Sequence, residues 1–502
     1  MFYISLMNTD LPNDIDSLKE IIFNLNNKNQ SLEKQNQSLV ELVALLKRKR
    51  FGASSEKVSH EQLGMFNEVE TEDIAQIEDD SITVPSHKRA KRGKRLKLPE
   101  HLPRTEIVID LDNKTCPEDG QELKCIGEDV SEELKIIPAK IEVIRTIRKK
   151  YSCLSCESMQ VPAAPIKLLP KTNSSASLLA YIAVSKYCDA LPLYRQEAMF
   201  KRIGMDLPRQ TMARWMIKVS EKIEPIISLL NLELLKSNYI HMDETTVQVL
   251  KEDGKKAQTK SYMWATARSG ISPIILFNYG KNRSSDYPIQ ILGNYNQALQ
   301  VDGYDGYQKV INQNNITRLG CWAHARRKFY DAFKSSSGKG TGKQALVFIK
   351  KLYKIEKEIK DSENRFLLRL KRSVPILLEF KIWLEKRKSE LTPSSLAGKA
   401  VNYTLNEWEY LANTFTDSDF EVDNNYIESH IRPFTIGRKN WMFSVSSKGA
   451  TASASLYSLI ETAKANRIDP FEYLNNLFEK LPLAKSKDEL RKLLPLRLSN
   501  TG

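Results

Sequence analysis

The sequence predicts a multidomain α+β chain, and three observations predict it. At 502 residues it exceeds what one compact core holds. Its hydrophobic periodicity changes along its length: a heptad, then strand-like alternation, then helical spacing, then strands and helices again. Charged low-complexity blocks divide the first region from the rest. The elements expected, in order, are an N-terminal coiled-coil helix, a small β domain of zinc-ribbon type, a helical helix-turn-helix-like region, an α/β core with a helical insertion, and a helical C-terminal tail.

Composition narrows the setting. A formal charge of +14 favours a polyanionic partner. Six unevenly spaced cysteines argue for a reducing compartment rather than a disulfide framework. The opening residues MFYISLMNTDLPND lack a basic segment followed by an apolar one, and no long uncharged apolar run occurs. A soluble cytosolic protein without a membrane partner is expected.

Leu18, Leu25, Leu32, Leu39 and Leu46 recur every seven residues, and Ile22, Asn29, Asn36 and Val43 form the second seam. Asn at such a position favours a two-stranded, in-register coiled coil, so residues 14–57 are expected to pair two chains. The alternative is one amphipathic helix packed on its own protein. NEVETEDIAQIEDDS and then KRAKRGKRLK mark residues 58–98 as a charged linker.

In residues 99–165, Cys153-Leu-Ser-Cys156 has the spacing with which two thiolates grip one zinc ion. The upstream half reads Cys116-Pro-Glu-Asp119, with a carboxylate where a second thiol would stand. A zinc ribbon with Cys116, Asp119, Cys153 and Cys156 as ligands and a small β domain without metal both remain open. EELKIIPAKIEVIRTIRKKY, between the pairs, alternates like two strands.

Residues 166–235 have helical spacing that restarts after Gly204 with Pro208-Arg209-Gln210-Thr211. A helix, a turn and a helix resemble a helix-turn-helix, which would turn Arg209, Gln210 and Arg214 towards DNA. An ordinary helical connector fits the same pattern.

From residue 236 to 330 the period changes again. NYIHMDETTVQVL, SYMWATARS and ISPIILFNY read as an antiparallel meander. A helix, a fourth strand ending at Asp302, another helix and a fifth strand, ITRLGCW, follow. This order matches a ribonuclease-H-like fold, in which the first and fourth strands are neighbours, so Asp243 and Asp302 would lie side by side. Two divalent cations about 4 Å apart can activate a water or a 3′-hydroxyl and stabilise the leaving oxygen of a phosphodiester. Mg²⁺ (or Mn²⁺) takes oxygen ligands and keeps waters, so a third acid suffices, carried by a helix beside the two strands. Glu428 in DNNYIESHIRPFTIGRKNWMFS fits, with Asp423-Asn424 able to cap its helix and Arg432, Arg438 and Lys439 behind it to hold a DNA backbone. Asp305 rivals Asp302, and Glu244 is expected to face away from Asp243, in support or at the surface.

CWAHARRKF offers Cys321 and His324 at C-x-x-H spacing. A second zinc would need two more ligands, and the neighbouring sequence supplies none, so packing is expected of Cys321. His324 would approach the site or a phosphate, and Arg326, Arg327 and Lys328 would contact phosphates. Residues 331–418 read as a helical insertion, 419–445 as the second part of the core, and 446–502 as a helical tail.

HMDETTVQVL, LQVDGYDGY, GCWAHARRKF, DNNYIESHIRPFTIGRKNWMFS and SLIETAKAN resemble the insertion-sequence-66 family of bacterial transposases, as do LLKRKRFGASSEK, IGEDVSEELKIIPAK and SKYCDALPLYRQE. The resemblance covers nearly the whole chain. It implies a DDE-type DNA transposase with the triad Asp243, Asp302 and Glu428, cutting element ends and joining them to target DNA in the bacterial cytosol at the nucleoid. Accessory proteins of the same element are further implied partners. Asp119 departs from the family's usual zinc pattern. A metal-dependent nuclease without strand transfer and an inactive DNA-binding protein are the alternatives.

Overall fold

The computed structural model describes residues 14–16, 19–29, 32–33, 36, 141–152, 159–336 and 340–497. They fall in two compact units, one within Glu72–Ala164 and one comprising the rest. In the smaller, β1 (Tyr151–Ser152) pairs antiparallel with β2 (Met159–Gln160), Tyr151 opposite Gln160. The alternation expected to make strands makes none over the described residues 141–150, where Val143, Ile144 and Ile147 are exposed. Cys116, Asp119, Cys153 and Cys156 lie outside the described residues, as does most of the heptad region. Residues 19–29 are helical, and Ile22, Leu25 and Leu32 are exposed.

The larger unit opens with three helices, α1 (Ala176–Tyr187), α2 (Leu193–Arg202) and α3 (Arg209–Leu234). Gly204, with φ +80°, turns the chain between α2 and α3, a conformation only glycine takes without strain. The α2 carboxylate Glu197 accepts from the Arg209 backbone N–H at 2.9 Å, satisfying an orphan donor where the helix dipole favours an anion. One face of α3, from Met212 to Leu234, is buried; Arg209, Gln210 and Arg214 in its opening turns are exposed.

The mixed sheet follows. Its order is β5 (Ile274–Gly280), β4 (Lys260–Arg268), β3 (Tyr239–Lys251), β6 (Ala298–Gln300), β7 (Thr317–Leu319). The first three are antiparallel; β6 and β7 run parallel to β3, reached through α4 (Asp286–Leu292) and α5 (Gln308–Asn314). The short β6 is pinned by Gln300, whose Oε1 accepts from the Tyr239 hydroxyl and whose Nε2 donates to the carbonyls of Gly320 and Glu421 at 2.9 and 3.1 Å.

After β7 come α6 (Trp322–Ser335), α7 (Thr341–Ile359), α8 (Arg365–Leu368) with a π turn at Arg369–Ser373, α9 (Val374–Glu390), α10 (Leu396–Asn406) and α11 (Trp408–Asn413). They enclose a second core around Trp322, Phe329, Ile349, Phe380 and Val401. Two basic residues here, Arg365 and Arg369, are buried. Arg369 is 0% exposed and gives Glu356 two hydrogen bonds, at 2.9 and 2.6 Å, beside one from Arg365 at 3.0 Å. Arg369 also donates to the carbonyls of Asp417 and Phe420, so this buried charge cluster fastens the insertion to the segment that leads back into the core.

The chain then forms α12 (Asn425–Trp441), β8 (Ser444–Ser446), α13 (Ser447–Ala465), α14 (Pro470–Lys480) and α15 (Lys487–Arg491). The strand β8 was not foreseen; it runs parallel to the far half of β3, Val249 opposite Ser444. The tail covers the edge of β5. Ser458 and Thr462, one turn apart on α13, accept from the backbone N–H groups of Phe277 and Ile275 at 2.8 and 3.0 Å, and Asn466 donates to the Pro273 carbonyl at 2.8 Å. A helix face thus satisfies an open sheet edge in place of another strand.

Candidate active site

The strand pairing brings two of the candidate acids together. Tyr239, Ile240 and His241 of β3 pair with Ala298, Leu299 and Gln300 of β6, and the same register carried two residues on sets Asp243 opposite Asp302. Asp302 lies two residues beyond the end of β6, half-buried, its Oδ1 accepting from the Tyr304 N–H at 3.0 Å. Its carbonyl accepts from Arg318 Nη2 at 3.0 Å, and the same nitrogen donates to Glu407 of the insertion at 2.7 Å. Asp305 is exposed.

Glu428 stands in the first turn of α12, where the helix dipole favours an acid, with its side chain 13% exposed. Burial pushes the Asp243 carboxyl well above the usual carboxylate range, and the charges of Glu244, Glu428 and Asp302 push it further. These carboxylates therefore repel one another in a partly desolvated place, which a bound cation would relieve.

Of the expected capping pair only Asp423 serves the start of α12, its Oδ1 accepting from the Asn425 N–H at 3.1 Å. Asn424 occupies the N-cap position without a side-chain cap bond. Its buried amide bridges to β3: Nδ2 donates to the Met242 carbonyl at 3.0 Å, and Oδ1 accepts from His241 Nδ1 at 2.9 Å. The Asn424 N–H donates to Cys321 Sγ at 3.3 Å, and Asp423 accepts from Tyr353 of α7 at 2.9 Å. Asn424 therefore ties the Glu428 helix to the residue beside Asp243. Asn424→Ala is expected to cost about 2–3 kcal/mol, because it leaves buried partners unsatisfied, and to lower any activity of the three acids at least about tenfold. Unfolding midpoints and turnover measured on the same preparation check both.

Burial lowers the His241 pKa to about 4, against a lesser opposing effect of its bond to Asn424. The neutral ring is favoured in the folded state, so this residue's contribution is intact above about pH 6.5 and is lost as the pH falls towards 4, about 3 kcal/mol in all. His241→Phe is expected to flatten the fall of the unfolding midpoint across that window.

Of the two places open to Glu244, support or surface, it takes the first: its side chain is 1% exposed, paired with Arg283 and accepting from the Tyr307 hydroxyl. Arg283 in turn stacks over Tyr304, 3.6 Å from the ring centre. No feature of KNRSSD marked Arg283 beforehand. Arg438, expected on DNA, is turned inward: Nη1 donates to the Thr246 carbonyl and, at 3.1 Å, to Thr245 Oγ1, holding α12 against β3. Lys439 is exposed and Arg432 half-buried. On α6, Arg326 and Arg327 are half-buried and Lys328 is exposed, 4.5 Å from the Tyr403 ring centre. His324 reaches the site as expected, with Nε2 3.8 Å from Glu428 Oε1. Burial first, then Arg327, lowers its pKa.

The comparisons with known proteins bear on the same residues. Residues 171–452, more than half of the chain and all three candidate acids, match the family model described as Transposase IS66 family. The chain belongs to the IS66 transposase family. Residues 113–157 of this IS66 member match a zinc-finger binding domain of transposase IS66, 38–107 a region described as Transposase C of IS166 homeodomain, and 458–496 an IS66 C-terminal element. It is similar to three uncharacterized proteins of Sinorhizobium fredii (strain NBRC 101917 / NGR234). Identity to y4qI is 32%, across 97% of each chain, and to y4jD 30%, across 98% of each. Identity to y4hP is 29%, across 78% of this chain and 74% of the relative. No solved structure matches. Among the described residues no helix is long and apolar enough to cross a membrane.

Proposed function

We propose that this IS66 family member is a DDE-type DNA transposase that cleaves the ends of its element and joins them to target DNA. One observation carries the reading: the parallel β3–β6 register, extended two residues past the end of β6, sets Asp302 opposite Asp243, with Glu428 on the helix tied to β3 by Asn424. The sheet order, three antiparallel strands followed by two parallel ones beside the first, supports a ribonuclease-H-like core.

Asp243, Asp302 and Glu428 would hold the metal. The set offers oxygen only, from mutually repelling carboxylates, and so fits a hard divalent cation. Mg²⁺ or Mn²⁺, as a pair when bound, supplies activation of the attacking oxygen and charge stabilisation of the leaving one. The protein's share is to keep the acids in position: Arg318 fixes the Asp302 backbone, and Asn424 and Arg438 hold the Glu428 helix to β3. Arg326, Arg327, Arg432 and Lys439 lie on the two helices beside the acids and would contact the DNA backbone, while Arg209, Gln210 and Arg214 on α3 would read the element ends. Cys116, Asp119, Cys153 and Cys156 would bind zinc in the matched zinc-finger segment. The exposed Ile22, Leu25 and Leu32 support pairing of two chains through the heptad helix.

The test is purified protein with labelled DNA carrying the element ends, a target plasmid and Mg²⁺ or Mn²⁺, with and without the element's accessory proteins. Nicking at the ends followed by joining to the target is expected. Hydrolysis without joining under every condition would make the chain a nuclease.

A further inference from the structure

The cluster of Cys321, His324 and Glu428 has no part in the oxygen-only metal set, apart from the shared glutamate. Cys321 ends the loop after β7, His324 lies in the first turn of α6, and Glu428 lies in the first turn of α12. The Cys321 sulfur, a His324 ring nitrogen and a Glu428 carboxylate oxygen all fall within 4.8 Å of one another. Cys321 is 2% exposed, and His324 Nδ1 is buried without a hydrogen-bond partner among the described residues. Cys321 and His324 stand at C-x-x-H spacing with no third ligand near them in the chain; the fold delivers the third from more than a hundred residues away.

The donor chemistry selects the ion. Sulfur, imidazole nitrogen and one carboxylate oxygen suit Zn²⁺, or Co²⁺ as its spectroscopic stand-in, and suit Mg²⁺ poorly. Three protein ligands leave a fourth tetrahedral position open, unlike a closed structural zinc site. We propose that Cys321, His324 and Glu428 form a Zn²⁺ site distinct from the matched zinc-finger segment, and that zinc bound there competes with Mg²⁺ for Glu428. The competition, though not the site, rests on the function proposed above.

The readout is metal content and Co²⁺ absorption of the full-length chain, which is independent of activity. Wild type is expected to bind one more equivalent of Zn²⁺ per chain than Cys321→Ser or His324→Gln. Its Co²⁺ spectrum should contain a thiolate-to-cobalt band that Cys321→Ser diminishes. His324→Gln, at a half-buried position, keeps the comparison open if loss of the buried thiol unfolds the protein. Asp243→Asn is expected to bind as much zinc as wild type. Equal zinc in wild type and both ligand variants, with identical Co²⁺ spectra, would overturn the site. Added Zn²⁺ should raise the Mg²⁺ concentration needed for half-maximal end cleavage by about tenfold or more. An unchanged Mg²⁺ requirement at saturating Zn²⁺ would overturn the competition alone. Cleavage that survives Asp243→Asn would overturn the proposed function and leave the metal-content result standing.

Discussion

Asp243→Asn is expected to reduce end cleavage and strand joining at least about a thousandfold, because it removes a ligand from the charge-stabilising set. Its effect on stability is expected to have the opposite sign when metal is absent. A carboxyl whose folded pKa is raised contributes stability below its unfolded value, near 3.8, and loses that contribution as the pH rises through the folded value. Asparagine removes the repulsion from Glu244, Glu428 and Asp302, so at neutral pH in chelator the variant should melt at or above wild type. Mg²⁺ should reverse the order. A ligand at a hundred times its dissociation constant adds about 2.7 kcal/mol to the state that binds it, and only wild type keeps all three acids. Thermal unfolding in chelator and in Mg²⁺ checks this; a variant that melts below wild type in chelator, or gains as much from Mg²⁺, contradicts it.

Glu356→Ala is expected to be the most destabilising single change in the helical insertion, at about 3–5 kcal/mol. Glu356 accepts from both Arg365 and Arg369, and the latter has no exposure to solvent. Without the carboxylate, the buried Arg369 guanidinium loses the Glu356 counter-charge, and carbonyl partners at Asp417 and Phe420 compensate only in part, while Arg365 keeps Glu421 at 3.7 Å. Glu356→Gln, which keeps acceptor oxygen but not charge, should lie between. Because the 417–421 segment leads into the Glu428 helix, limited proteolysis should reveal early cutting there in Glu356→Ala, and end cleavage should fall with it.

How far the site could be read in advance follows from what each signal depends on. The neighbouring places of Asp243 and Asp302 were legible because alternation in HMDETTVQV and the apolar QALQV fix strands, and strand order then fixes neighbours. The place of Glu428 in the first turn of a helix was legible because DNN precedes it and helical spacing with cations follows. Partners chosen by long-range packing were not. Asn424 sits at a capping position, and nothing local says that its amide is taken by His241 and Met242, over 180 residues earlier. Glu244 does point away from Asp243 by alternation, yet Arg283 and Tyr307 wait on that side. Arg369 looks like any basic residue of LLRLKRS until Glu356 folds against it. At three residues, β8 is too short to show a period, and it exists because β3 offers it an open flank.

The most direct test of the central claim is a crystal structure of the wild-type chain soaked in Mn²⁺, with data collected at wavelengths that give manganese an anomalous signal. The expected result is one or two anomalous peaks bounded by the carboxylates of Asp243, Asp302 and Glu428, absent from Asp243→Asn crystals. Peaks located elsewhere, or peaks at the triad that persist in Asp243→Asn, would contradict the assignment of these three acids to the catalytic metal centre.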